Sequence, residues 1–355
     1  MKQYTVKSNI VKEISFKKSF DEIFFSKKKD LMEIKCKIDK VSSKDWEKSK
    51  KMLNKYEYIY TSSKTNKNVC GVVPVSRSYF KIYEMIKDII TIKEDGKAAC
   101  IAEGPGGFIH CLNDNTNIKV HAITLISKDK SIPYWNQQII NNSKNNLFSG
   151  EDKTGNIYLL KNTEDFIRNI RGSCNLVTAD GGFDYSNNYN DQESSSYKLI
   201  YSEIYINLNI QELNGSFVIK FFDIFNYKTI QLIYLLYSCY EEIILYKPTI
   251  SRLSNSEKYI ICKDFKGCSN QILDKLKEYY NKSEELIISV PKDFIDEIMK
   301  YNELFVNKQI KTINEIIDNP VKDILNKPSE NQLKYATDWC NKYGLPINKS
   351  CIHLK

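Results

Sequence analysis

The sequence predicts an α/β protein built on a doubly wound parallel sheet, and three observations carry that prediction. Between about residues 71 and 270, short apolar runs alternate with amphipathic stretches of helical period. The runs are bounded by Gly, Asp, Pro or Lys, as buried strands are. Hydrophobic residues make up 42% of the chain against only 13 Gly and 8 Pro, which supplies a core and few chain breakers. Collagenous, low-complexity and disordered chains are excluded by the same figures.

The elements follow in order. Residues 1–70 are dense in lysine, as in KKSF, SKKKD and KDWEKSKK, and show amphipathic stretches without a clear strand series. They predict a partly helical, basic N-terminal region, either a solvated surface or an RNA-contacting arm. The next unit, 71–270, holds the expected strands AACIAEG (98–104), VHAITLI (120–126), NIYLL (156–160), NLVTADG (175–181), SFVIKFF (216–222), EIILYKP (242–248) and EKYIICKDF (257–265). Amphipathic segments such as SRSYFKIYEMIKDI, NTEDFIRNIR and NYKTIQLIYLLYSCY separate them as helices. From 271 to 355 helical periodicity takes over, predicting three helices as a C-terminal appendage on the sheet domain.

Several function classes fall away. No run approaches the roughly 18–20 apolar residues of a membrane span. The N-terminus, MKQYTVKSNIVKEISFKKSF, is charged where a signal peptide needs its apolar stretch. The expectation is a soluble, intracellular protein, cytoplasmic or in a viral factory if viral, with no membrane partner. Ten cysteines without a CxxC and three scattered histidines (His110, His121, His353) predict reduced structural thiols and no required metal. The 52 Lys+Arg against 44 Asp+Glu are almost all lysine, with arginine only at Arg77, Arg168, Arg171 and Arg252. In a chain this rich in Lys, Asn, Ile and Tyr, that excess is weak ground for a nucleic-acid partner, so the motifs must decide.

Five motifs stand at the ends of the expected elements. Glu103-Gly104-Pro105-Gly106-Gly107-Phe108 follows an apolar strand and opens the helical FIHCLND. Glycines there let the backbone pass close to a ligand, beside free helix N–H groups. It has neither the Gly-Lys-Ser/Thr of a Walker A loop nor GxGxxG spacing. Thr178-Ala179-Asp180-Gly181-Gly182-Phe183-Asp184 ends a strand, at the carboxyl edge where open α/β sheets bind ligands. Lys220, in GSFVIKFFD, is a cation near the end of an apolar run, costly unless paired or partly neutral. The turn KPTISRLSNSEKY, from Lys247 to Tyr259, offers phosphate and ribose donors in Ser251, Arg252 and Asn255 and one carboxylate, Glu257. Lys258 beside it is expected at the surface. Ser76-Arg77-Ser78-Tyr79-Phe80-Lys81 lies on the helix before the glycine loop. Taken singly, each motif also reads as an ordinary turn or surface feature.

In this order the five motifs resemble the FtsJ-like ribose 2′-O-methyltransferases over about residues 74–265. SRSYFK is similar to that family's lysine-bearing helix, EGPGGF to its S-adenosylmethionine loop and TADGG to the segment of its catalytic aspartate. GSFVIKFF is similar to its catalytic lysine strand, and KPTISRLSNSEKYIICK to its substrate loop and final glutamate. The TADGGFD form, the long insertion between the second and fourth strands and KPTISRLSNSE resemble most the mRNA cap methyltransferases that make cap 1.

The resemblance implies a Rossmann-like class I methyltransferase fold, a mostly parallel seven-stranded sheet with an antiparallel last strand, plus helical extensions. It implies a catalytic tetrad of Lys81, Asp180, Lys220 and Glu257. It also implies S-adenosyl-L-methionine held by Glu103, Gly104, Pro105, Gly106, Gly107, Phe108, Asn156 and Asp180, and capped RNA contacted by Arg77, Ser251, Arg252 and Asn255. Asn156 stands where cap-methylating relatives tend to carry an aspartate. Leu125-Ile126-Ser127-Lys128-Asp129 stands where many methyltransferases place an acid for the cofactor ribose. Other capping or transcription proteins are implied as partners. An rRNA or tRNA ribose methyltransferase and a catalytically silent RNA-binding subunit of a capping complex stay open as alternatives. In the implied mechanism Lys220 is the base or the hydroxyl-orienting group, held by Asp180, with Lys81 and Glu257 positioning the ribose. As a base it needs its ordinary pKa of about 10.4 lowered, by burial, Lys81 and the sulfonium.

Overall fold

The computed structural model describes residues 2–17, 25–182, 191–319 and 327–355. Its strands are β1 (Gln3–Thr5), β2 (Lys97–Ile101), β3 (Lys119–Ile123), β4 (Asn145–Phe148), β5 (Cys174–Ala179), β6 (Gln211–Phe221), β7 (Tyr240–Tyr246) and β8 (Lys258–Phe265). They form one sheet in the order β1-β7-β8-β6-β5-β2-β3-β4. The pairs β2–β3, β3–β4, β2–β5 and β5–β6 are parallel. The last strand, β8, runs antiparallel to both β6 and β7, as expected. Central strands such as KAACI are continuously apolar because helices cover both faces of the sheet.

Two differences from the expected strands stand out. An eighth strand, β1, pairs antiparallel with β7, aligning Gln3 with Tyr246. Three residues show no alternation in sequence, and edge pairing alone makes them a strand. The fourth strand is Asn145–Phe148, paired with β3, and not NIYLL (156–160). In that segment the Asn156 side chain accepts the Tyr158 N–H at 2.9 Å, and the run leads into a helix at Leu160. A short apolar run reads alike as a strand or a helix entrance, and NNLF carries too few β-formers to compete in sequence.

The helices are α1 (Ser26–Ile38), α2 (Ser43–Leu53), α3 (Ser78–Asp88), α4 (Gly107–Asn115), α5 (Gln137–Ile140), α6 (Leu160–Ile170), α7 (Gln192–Ile210), α8 (Tyr227–Cys239), α9 (Asn270–Lys282), α10 (Lys292–Asp318) and α11 (Glu330–Lys342). One core, rich in side chains of α6, α7, α8 and α10, fills one face of the sheet. A second, with α3, α4 and α11, fills the other. Both chain ends enter these cores. Val6 and Ile10 are buried in the first, Ile59 and Trp339 in the second, while Phe25 and Leu31 pack with Phe225 and Val306. All ten cysteines are free thiols, and eight of them are buried.

The strand order reverses between β2 and β5, which opens a crevice at their carboxyl ends. The glycine loop leaves β2 there, and Asp180 leaves β5 beside it.

Candidate active site

The glycine loop is shaped from behind. Gly106 adopts φ +101 as the N-cap of α4, a conformation that favours glycine. The buried Glu103 carboxylate accepts the N–H groups of Phe108 and Ile109, two of the donors that a helix start leaves without partners. Burial and the charge of Asp180 push the Glu103 pKa far above the carboxylate range, against those two N–H groups. A Cβ on Gly104 would lie 2.1 Å from Pro133 O, and one on Gly107 would lie 2.0 Å from Ser78 Oγ. The loop is thus clamped between α3 and the segment leading to α5. Of the residues expected to hold cofactor, Gly104, Pro105, Asn156 and Asp180 line a cavity of about 740 Å³. Glu103, Gly106, Gly107 and Phe108 stand behind it and fix the loop's path.

Asp180, Lys220 and Glu257 line this cavity, and Lys81 stands behind Glu257, so that the four meet as two ion pairs. Parallel pairing of β5 with β6 aligns Ala179 with Ile219, so the next residues, Asp180 and Lys220, meet at the strand ends. Lys220 Nζ lies 3.2 Å from Asp180 Oδ1 and donates to Asp180 O at 2.7 Å. Antiparallel pairing sets Tyr259 opposite Lys220, and the Tyr259 hydroxyl donates to Asp180 Oδ1 at 2.7 Å. Lys81, on the first turns of α3, reaches both Glu257 oxygens, at 2.8 and 2.9 Å. Ser251 Oγ donates to Glu257 Oε1 at 3.1 Å.

The electrostatics correct one expectation. Burial lowers the Lys220 pKa, but Asp180, Glu257 and Glu203 together outweigh it and raise the pKa above the ordinary lysine value. With no bound ligand, Lys220 is an ammonium at neutral pH. Burial opposes ionisation of Glu257, yet Lys81, Lys220 and Lys247 bring it down to about 2. Lys247 is buried and falls well below the lysine range; it donates to Asn255 O at 2.9 Å.

The residues expected to contact RNA make protein contacts in the structure, and Arg77 and Asn255 line the cavity. The Arg77 guanidinium donates to Tyr60 O at 3.0 Å and Ile250 O at 2.8 Å and lies 3.1 Å from Glu57 Oε1. Arg252 meets the same carboxylate at 3.1 and 2.8 Å. Both are occupied by protein partners. Asn255 lines the cavity while its side-chain oxygen accepts from Lys247. Lys258, expected at the surface, is buried over the Phe305 ring, and burial lowers its pKa to about 8. Phe183 and Asp184 lie outside the described residues.

Sequence reasoning missed Glu57, Glu203, Tyr259 and Lys50. Tyr259 had a signal, because it lies two residues beyond Glu257 along the β8 strand. Glu203, on α7, is buried with Oε1 unpartnered beneath Gly181, and burial raises its pKa far above the usual range. Lys50, on α2, lines the cavity and brings the N-terminal region to it.

The reversal point, the glycine loop and the cavity define a ligand-binding domain of the doubly wound α/β class. The chain belongs to the FtsJ-like methyltransferase family, whose profile matches residues 74–265, more than half its length. It is 28% identical over 327 residues to a cap-specific mRNA (nucleoside-2′-O-)-methyltransferase 1A of Caenorhabditis briggsae, covering 79% of this chain and 37% of that protein. It is 27% identical over 351 residues to a cap-specific mRNA (nucleoside-2′-O-)-methyltransferase 2 of Pongo abelii, covering 90% and 44%. An inactive cap-specific mRNA (nucleoside-2′-O-)-methyltransferase 1B of Caenorhabditis briggsae is 26% identical over 329 residues, covering 80% and 38%. The chain therefore spans less than half the length of these curated relatives.

Proposed function

We propose that this chain transfers a methyl group from S-adenosyl-L-methionine to a ribose 2′-OH of RNA, at the first transcribed nucleotide of capped mRNA, converting cap 0 to cap 1. The observation that carries this reading is the pair of lysine–carboxylate contacts, Lys220 with Asp180 and Lys81 with Glu257, of which Asp180, Lys220 and Glu257 line a single cavity. The residues fit the cofactor. Gly104, Pro105 and Asn156 give polar and close backbone contacts, Leu125 and Pro133 an apolar wall, and Asp180 a negative charge for the sulfonium. When bound, the cofactor supplies the methyl group and a leaving group that departs neutral.

The chain's own residues align the alcohol and handle its proton. As an ammonium, Lys220 uses two contacts on Asp180, and a hydrogen bond from its remaining donor capacity orients the 2′-oxygen in line. As the O–C bond forms, the hydroxyl proton becomes strongly acidic, and the Asp180 carboxylate beside it is the acceptor. Lys81, clasped by Glu257, places a second cation at the ribose without adding net charge.

The test is methyl transfer from labelled S-adenosylmethionine to two short RNAs of one sequence, capped and uncapped. Transfer to the capped RNA alone, at the first nucleotide's 2′-oxygen, supports the proposal. Equal transfer to both favours an rRNA or tRNA substrate. Cofactor binding without transfer would place the chain with inactive relatives as an RNA-binding subunit, alongside other capping or transcription proteins. Among the described residues no helix is long and apolar enough to cross a membrane.

A further inference from the structure

Half of the tetrad has a rigid support and half does not. Asp180 and Lys220 end adjacent parallel strands in the middle of the sheet. Lys81 sits on the first turns of α3, and Glu257 ends an irregular segment that runs from β7 to β8. Neither element is hydrogen-bonded to the other along its backbone in the way two strands are. The Lys81–Glu257 contact therefore depends on side chains that hold the two elements together.

Two carboxylates tie them together. Glu84, on α3, accepts the Thr249 N–H at 2.9 Å and the Thr249 hydroxyl at 2.7 Å, and the other is Glu57. Glu57, in the 3-10 turn Glu57–Ile59, is completely buried. Its Oε1 lies 3.1 Å from Arg77 Nη1 and accepts Arg252 Nη2 at 2.8 Å. Its Oε2 accepts Arg252 Nε at 3.1 Å and Asn54 Nδ2 at 2.8 Å. Arg77 is the N-cap of α3, one helical turn before Lys81. Arg252 lies in the segment that ends at Glu257, and Arg77 also donates to Ile250 O in that segment at 2.8 Å. Two guanidiniums face one carboxylate, so removing it leaves like charges partly buried side by side, a costly arrangement. Burial pushes Glu57 up, and the two arginines more than reverse this, keeping it ionised at neutral pH.

We infer that Glu57, which lies outside the family-matched segment, is a positioning residue that helps set the Lys81–Glu257 half of the active site by tying α3 and the 247–257 segment together through Arg77 and Arg252, beside the Glu84–Thr249 contact. The inference rests on the methyl-transfer reading for its catalytic consequence, but its structural content stands apart from it.

The experiment uses the full chain with Glu57→Gln, read in two ways. Hydrogen exchange followed by mass spectrometry should quicken at residues 76–81 and 250–257 and stay unchanged at 97–101 and 174–179. Single-turnover methyl transfer should fall by about tenfold or more, with cofactor affinity within about twofold of wild type. In a Lys81→Ala background the same substitution should cost no further rate, because its route of action is already gone. A merely stabilising residue would multiply the two losses and spread the exchange over the whole sheet, and either outcome overturns the inference. If Glu57→Gln does not fold, Arg252→Gln, which leaves Glu57 balanced by Arg77, is read by the same criteria. If the wild-type chain transfers no methyl group, the functional proposal fails, and the exchange pattern still decides the role of Glu57.

Discussion

Lys220 shows how a residue singled out in sequence can reach the expected place and carry a different charge state there. Its neighbours are three carboxyl groups, and their sum keeps it protonated, which favours orientation of the hydroxyl over proton abstraction in the resting site. Lys220→Ala should therefore lower single-turnover transfer by about 10²- to 10⁴-fold while leaving calorimetric cofactor affinity nearly intact. Lys258 cannot serve as the control, being buried; the exposed Lys282, at the end of α9, can. Near-wild-type transfer by Lys220→Ala would remove it from the mechanism. Glu257 carries the second residue-scale prediction. Its folded pKa, about 2, is below its unfolded value, so the stabilisation it supplies is present above about pH 4.5 and lost as pH falls through 2. That is on the order of 3 kcal/mol at neutral pH if the unfolded value is ordinary. Urea titrations between pH 5 and pH 2 should show a shallower loss of stability in Glu257→Gln than in wild type. An equal slope would contradict the assignment. The four residues that meet as two ion pairs were legible because each lies in or beside an element with a recognisable local pattern. Glu57 was not, because its partner Arg252 is 195 residues away and a lone Glu before an apolar pair carries no local signal.

The glycine loop shows the same division between elements. Its position after a strand and before a helix was readable, but the reason for its glycines differs from residue to residue. At Gly106 the constraint is a positive φ together with the Ile139 side chain, 2.7 Å from where a Cβ would sit. Gly106→Val should strain the α4 start by about 1–3 kcal/mol and weaken cofactor binding by misplacing Pro105 and Gly104, with no side chain entering the cavity. Thermal denaturation and calorimetry on one preparation would check this. Unchanged affinity and melting together would show that the loop tolerates the change. The mistaken strand at 156–160 has a related cause. Asn156 forms a side-chain turn with Tyr158, and such turns compete with a strand only once the neighbouring β3–β4 pairing is in place.

Across the whole molecule, the two chain ends are parts of the cores. The lysine-rich N-terminal region was expected to read as a surface or an arm, yet Val6, Ile10, Phe25, Leu31 and Ile59 are buried in three clusters. Each such side chain contributes roughly 1.5–3 kcal/mol. Five of them approach the roughly 5–15 kcal/mol by which a domain is stable at all. Deleting residues 1–70 should accordingly abolish cooperative unfolding, seen as a broad calorimetric transition, and not yield a folded protein with altered RNA binding. A truncation that melts sharply and still binds cofactor would restore the picture of a detached arm.

The sequence by itself determined the α/β class, the strands that end at the cavity, the glycine loop and the four residues that meet as two ion pairs. These rest on period, on strand ends and on local turn chemistry, all of which act over a few residues. Tertiary structure alone decided the edge strand β1, the true fourth strand and the protonated state of Lys220. It also decided the burial of Lys258 and the pairing of Arg77 and Arg252 with Glu57. Each of those is a sum over neighbours brought from distant parts of the chain, and electrostatic and packing energies fall off with distance in space, not along the sequence.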